Sequence, residues 1–299
     1  MSNFDDLLNN SPAEQDGAQL SKEDYAAKKQ AEREAAFELS DNAALEVAGN
    51  GDMFRQYLDV QSTFSRYSAV NALLIMAQMP EATRLGDFGH WKGQGGYVKP
   101  GQTAISILEP HEYTKEDGSP GTGYNVKKVF DISQVDTRKV KTAAPAPTYT
   151  ERQLLKALIH KAPVEIIGVE SVPSFLPDDF GAFYDQKDNN IIVQKGMDFS
   201  DIFRSVAQEL AFADLHTGPD TQADPHFSAY SAAYMLCKKY GVDTQGFNFS
   251  DAPAVLNDMD AQEVKGELSQ IRDAADAISG RMAKQLDAVS KAAKSQDAR

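Results

Sequence analysis

The chain has 299 residues, 41% hydrophobic and 25% charged, which suits a soluble globular protein of about two domains. A single cysteine, Cys237, excludes internal disulfides and a cysteine-based zinc knuckle, and no apolar run approaches the roughly 20 residues of a membrane span. The net charge of −14 divides into −7 over residues 1–50, +1 over 51–141 and −8 over 142–299, so only the middle third presents a field that does not repel a phosphate backbone.

Residues 1–20 are polar and aperiodic, and a disordered tail is expected there. The acidic start MSNFDDLLNNSPAEQDG lacks the basic-then-apolar layout of a signal peptide, so the expected location is cytoplasmic. From Ser21 the run SKEDYAAKKQAEREAAFELS, with Ser21 and Asp24 at capping spacing, predicts an outlying helix, a helical arm over 21–50. The turn GNGD (49–52) ends it. MFRQYLDVQSTF and YSAVNALLIMAQM then predict two helices, the second apolar nearly all round and therefore a core helix. After Pro80 the pattern changes to β-type runs, TAISILEP (103–110) and YNVKKVFDIS (124–133), separated by glycine-rich turns. RKVKTAAPAPTY (138–149) has the Ala-Pro character of an extended linker. Beyond it the sequence predicts a helix (150–161), a strand (163–170) and a strand pair, GAFYD and NNIIVQ, turning at Asp188-Asn189-Asn190. Helices near 199–215 and 226–240 follow, the latter stopped by Gly241. From Ala261 a three-four apolar spacing, Val264 to Val289, predicts an amphipathic helix. Its partner is the N-terminal helix, a second copy of the chain, or another protein.

Two places carry chemistry. The first is the middle segment. Non-specific single-strand binding needs cations along a groove and aromatic faces for bases to stack on. Tyr67, Arg84, Trp91, Lys92, Tyr97, Lys99, Lys127 and Lys128 interleave those types within 51–137. Composition alone places Trp91 in the core, because tryptophan is mostly buried. Asn71 is expected to bond backbone, and Phe130 to sit in the core. The glycine-rich GQGG (93–96) lacks the Lys-Ser/Thr ending of a phosphate loop and does not open a helix after a strand.

The same segment resembles the N-terminal domain of the ArdC-type antirestriction proteins. The matching blocks, over about residues 52–136, are Tyr67-Ser68-x-x-Asn71, Leu73-Leu74-Ile75, Gln78-x-Pro80-x-Ala82-Thr83, Trp91, Val98, Gly101, and Val129-Phe130-Asp131-x-Ser133-Gln134. The resemblance implies single-stranded DNA binding, in proteins often carried by conjugative mobile elements, and it turns the expectation for Trp91 toward a stacking face.

The second place is Gln208-Glu209-Leu210-Ala211-Phe212. In many ArdC-type proteins the second half looks like a zinc metallopeptidase, with His-Glu-Leu-Ala-His on one helix and an acidic ligand on a later one. Two histidines at i and i+4 hold zinc on one helix face, and the glutamate acts as general base. Aligned on that pattern, the ligand positions here are Gln208 and Phe212, and the acidic one falls on Tyr230 or Ser228, with Asp224 the nearest carboxylate. Only Glu209 is intact. No metal, cofactor or catalytic residue is therefore expected, and Cys237 in AAYMLC reads as a buried thiol.

The expectation is an α+β fold: a single-stranded-DNA-binding α+β domain (51–137), a linker (138–149), a degenerate zincin-like α+β domain (150–250) and a C-terminal helix (251–299). Its expected partners are single-stranded DNA and host restriction or DNA-processing proteins, with self-association through the C-terminal helix as a further possibility. Two alternatives stay open. One is a noncanonical zinc metallopeptidase using Glu209, His216 and His226. The other is an acidic module that mimics DNA towards a DNA-acting enzyme.

Overall fold

The computed structural model describes residues 21–115, 117–138, 140, 148–173, 181–217 and 223–297. The expected tail 1–20 and residues 139 and 141–147 of the expected linker lie outside them. Helix α1 (Lys22–Gly49) starts at Ser21, whose hydroxyl accepts the Asp24 N–H at 3.0 Å. Its first half is exposed. Its second half buries small residues, Ala36, Ser40, Ala43, Ala44 and Ala48, which let neighbouring backbones approach closely. Asn50 leaves the helix in an extended conformation, and its side chain accepts the Asp52 and Met53 N–H groups to start α2 (Gly51–Thr63). Helix α3 (Ala69–Gln78), capped by Ser68, is buried on most faces, as its composition requires.

The middle segment continues with β1 (Leu85–Gly86), α4 (Phe88–Gly93), β2 (Tyr97–Val98), β3 (Ile105–Thr114), β4 (Pro120–Asp131) and β5 (Val135–Asp136). The order β1-β4-β3 makes one antiparallel sheet, and β2 pairs with β5. Strands β3 and β4 form a hairpin of ten residue pairs, from Ile105↔Val129 to Thr114↔Pro120, longer than the expected 103–110 and 124–133. The added pairs carry no burial signal, because Glu109 to Thr114 are all exposed. The sequence pattern of a half-buried strand therefore stops before the ladder does.

Helix α3 closes the outer edge of β3 with two side-chain amides. Asn71 donates Nδ2–H to the Leu108 carbonyl and accepts the Leu108 N–H, both at 2.8 Å. Gln78 does the same for Ser106 at 2.9 Å each way. A second knot ties β4 to its surroundings. Asp131 accepts the Thr83, Arg84 and Ser133 N–H groups at 2.7–2.8 Å, while Gln134 accepts the Asp131 N–H and reaches the Thr103 carbonyl. Burial would raise the Asp131 carboxyl, but these donors outweigh it and hold it below the usual carboxylate range.

The second half contains α5 (Glu151–Ile159), β6 (Glu165–Val169), β7 (Ala182–Asp185), β8 (Asn190–Gln194), α6 (Phe199–Thr217), α7 (Pro225–Tyr240), α8 (Ala252–Leu256) and α9 (Ala261–Asp297). Its sheet runs β6-β8-β7, with β6 parallel and β7 antiparallel to β8. Gly241 stops α7 with φ of 70°. The apolar stripe of α9, from Val264 through Leu268, Ile271, Ile278 and Met282 to Leu286, is buried. It packs against α7, α5, α1 and α6. The chain covers that stripe with its own helices, the N-terminal one among them. One buried cluster joins α1–α3, β3, α5, the second sheet and α6–α9. The fold is α+β, and among the described residues no helix is long and apolar enough to cross a membrane.

The edge closure gives a stability test. Replacing Asn71 by alanine leaves the Leu108 N–H and C=O unpaired in a buried position, a loss of about 2–3 kcal/mol. Urea unfolding should show that loss with an unchanged m-value, and a change below about 0.5 kcal/mol would contradict the assigned role.

Candidate functional site

A groove of about 810 Å³ runs between the start of α3, the β3–β4 hairpin, α1 and α9. Tyr67 lies half-buried in it, and burial raises its phenol above the ordinary value. Phe37 and Tyr124, both at least a third exposed, meet edge to face at 5.8 Å on the rim. Four cations line the same space, of which Lys265 is buried and paired with Asp41. Arg66 is exposed and, among the described residues, makes no ion pair. Lys127 is held between Glu109 at 2.9 Å and Asp87 at 3.4 Å, and its hydrogen bond to Glu109 keeps its ammonium above the usual range. Arg272 pairs with Asp273 through Nη1, while its buried Nε has no partner. Arg66, Phe37, Tyr124 and Arg272 were not among the residues singled out from sequence. Arg66 directly precedes the Tyr67-Ser68 block, and that adjacency was the one available signal.

The expected cluster of cations around an exposed Trp91 does not form. Trp91 is fully buried in the short helix α4, where its Nε1–H donates to the Phe130 carbonyl at 3.0 Å and the Arg84 guanidinium lies 5.1 Å from its ring. Its face is covered by arginine, so no base stacks on it. Phe130 itself is only half-buried. Lys127 and Lys128 are consecutive in a strand and point to opposite faces. Lys127 faces the groove, whereas Lys128 donates to the Ser106 hydroxyl at 2.7 Å on the other side. Lys92, Tyr97 and Lys99 are exposed around α4 and β2, with Lys99 donating to the Ser133 carbonyl. Of the eight residues, only Tyr67 and Lys127 line the groove.

A second cleft, of about 490 Å³, lies between α6, β7 and the start of α7, and Gln208, Glu209, Asp224, His226 and Tyr230 line it. Glu209 is 4% exposed and accepts the Tyr184 N–H at 2.9 Å. Burial pushes its carboxyl up to about 7, against the lowering effect of that one N–H. The Phe212 ring stacks on His226 at 4.1 Å and 10°, and His216 lies on it at 5.9 Å and 24°. The two imidazoles of the alternative zinc site thus meet a phenylalanine ring and not each other. Among the described residues no three His, Cys, Asp or Glu side chains are grouped so as to hold a metal ion. The donor set does not fit zinc, since the position facing Glu209 across one helical turn carries a hydrocarbon ring. Cys237 is buried, and burial pushes its thiol up to about 12, which leaves no thiolate for chemistry near neutral pH.

Fold and groove together define an α+β protein with an aromatic and cationic channel beside a clamped hairpin sheet. Residues 46–149 match the family model of the N-terminal domain of anti-restriction factor ArdC. The fold is similar to that of the Mn(II)-bound crystal structure of the antirestriction ArdC protein from the R388 plasmid. The TM-score is 0.51 at 16% identity, over 73% of this chain and 85% of that one. The metal-free structure of the same protein aligns with a TM-score of 0.48, also at 16% identity, over 73% of this chain and 86% of that one. No curated protein sequence matches the chain.

Two measurements check this arrangement. Trp91 emission should resist acrylamide quenching and stay unchanged when an oligonucleotide is added; ready quenching would show an exposed indole. Glu209 gives a pH signature. Its folded pKa lies above the unfolded value, so its contribution is fully present below about pH 4.5 and is lost as pH rises through about 7. Wild-type stability should fall by about 3 kcal/mol between pH 5 and pH 8 from this group, a drop that Glu209→Gln abolishes. Parallel pH dependence in the variant and the wild type would refute the assignment.

Proposed function

We propose that this protein binds single-stranded DNA in the cytoplasm as an antirestriction factor, through the groove beside the β3–β4 hairpin, and that its second half is a metallopeptidase-like scaffold without hydrolytic activity. The observation that carries the reading is the juxtaposition, in one groove, of Tyr67, Phe37 and Tyr124 with Arg66, Lys127 and Arg272. Aromatic faces hold bases of any sequence, at about 1–3 kcal/mol each, while the cations follow the backbone. The ArdC N-terminal domain match over 46–149 covers α2, α3 and the whole hairpin sheet, the elements that build most of that groove. For the second half, the support is chemical. Gln208 and Phe212 stand where zinc ligands would be needed, and Glu209 serves as a hydrogen-bonded strand cap. The action is occupancy: a coated strand is withheld from enzymes that would cut it.

With Lys265 taken by Asp41, phosphate contacts from Arg66, Lys127 and Arg272 predict a log–log salt slope near −2 for a single strand, so affinity for oligo-dT should fall about twentyfold between 50 and 200 mM salt. Fluorescence anisotropy of labelled oligo-dT reads this directly. The pair Arg66→Ala and Tyr124→Ala should each weaken binding about tenfold at fixed salt. Absence of binding at 50 mM salt would sink the proposal.

A further inference from the structure

We infer that the protruding half of the β3–β4 hairpin extends the groove as a base-stacking arm, with His111 and Tyr113 as its two platforms; this rests on the single-strand reading above. Side chains alternate along a strand, so Ile107, His111 and Tyr113 of β3 share one face with Val129, Lys127, Gly123 and Gly121 of β4. Ile107, Lys127 and Val129 line the groove. The groove wall and the arm are therefore one continuous surface, on which cation and aromatics follow in sequence.

The arm is built to seat each ring over a glycine. His111 pairs with Gly123, and Tyr113 with Gly121. A Cβ at Gly123 would come within 2.7 Å of the His111 ring, and one at Gly121 within 2.7 Å of the Tyr113 ring. Each ring lies directly over a backbone that only glycine leaves free. The two centroids are 6.4 Å apart with the ring planes at 43°, so each ring offers its own face to one base of an extended strand. Tyr113 is 49% exposed, and Glu109 to Thr114 bury nothing against the body of the protein.

The arm's edges argue against another β-strand as the occupant. Leu108 turns its N–H outward to Asn71, so Pro110, two residues on, removes the next outward donor of β3. Ile132 donates towards Arg84 on the far side of β4, which places Pro120 at an outward position of that strand as well. Proline thus interrupts the β3 edge and stands at the first position of β4, a device that discourages pairing of the β3 edge with another chain and leaves the face as the usable surface. Among the described residues, the charges on the arm are Glu109, already paired with Lys127, Glu112 on the opposite face, and Lys115 and Asp117 near the turn. Stacking, not phosphate attraction, supplies the binding here.

The test compares the full chain with a His111→Ala/Tyr113→Ala variant and a ring-retaining His111→Phe/Tyr113→Phe variant, by anisotropy on an oligo-dT length series at 50 mM salt. The expected result is an affinity for the longer oligomers at least tenfold weaker in the alanine variant. Binding of the shortest oligomers that the groove holds should be unchanged, and the phenylalanine variant should stay near wild type. Equal binding of all three proteins at every length overturns the arm while leaving the groove reading intact. Loss of a dimer on sedimentation of the alanine variant, with unchanged DNA affinity, would assign the face to a second copy of the chain and also overturn it. No binding by the wild-type chain overturns both.

Discussion

The closure of the β3 edge by α3 is the constraint on which the first half of the molecule depends. Asn71 and Gln78 are seven residues apart, about 10 Å along a helix, whereas Ser106 and Leu108 are about 7 Å apart on the strand. The mismatch is absorbed by the extra methylene of glutamine, and each amide substitutes for one residue of a missing neighbouring strand. The strand is thereby satisfied on both sides without a further strand. Asn71 and Leu108 also line the groove, so the interaction that completes the sheet fixes the groove's wall. A hydrophobic residue at 71 would leave a buried donor and acceptor unpaired at the point where the groove needs rigidity.

The second half uses a related device. Strand β7 is an edge of its sheet, and its outward Tyr184 N–H is taken by a helical side chain, Glu209. Here burial outweighs the single N–H donor, and the group is half-protonated near pH 7. The nearby aromatic stack adds to this. Phe212 between two imidazoles fills with packed rings the space that ligands would need to converge on. Glutamate in this position is explained by strand capping.

Much of the fold was legible in the sequence because helices, caps and turns are local. Ser21, Asn50 and Gly241 mark helix ends through side-chain or backbone chemistry that acts within a few residues, and each does so in the structure. Asn71 was readable as a backbone-bonding amide. The surface was less legible, for identifiable reasons. Trp91 sits among glycines, which reads as an exposed loop, yet a six-residue helix turns it inward onto the Phe130 carbonyl. Adjacent lysines read as a patch, but strand alternation divides Lys127 from Lys128. The groove joins α1 and α9 to the hairpin, α9 from more than 130 positions away, and no local pattern encodes that. The stripe of α9 announced that it needed a partner without saying which one.

The proposed function has to operate on a chain of net charge −14, and that charge has a use. At physiological salt the Debye length is about 8 Å, so a strand in the groove senses Arg66, Lys127 and Arg272 far more than the acidic regions beyond. Attraction is local, and repulsion acts mainly before contact and at the edges of the site. Duplex DNA carries twice the charge per unit length of a single strand and keeps its base faces stacked inside. It meets more of the repulsion and offers nothing to Tyr67, Phe37 or Tyr124. A single strand meets less repulsion and supplies the faces those rings need. An acidic body around a small cationic and aromatic groove therefore discriminates by structure: it weakens general affinity for nucleic acid and leaves the unpaired strand as the form that gains most on binding.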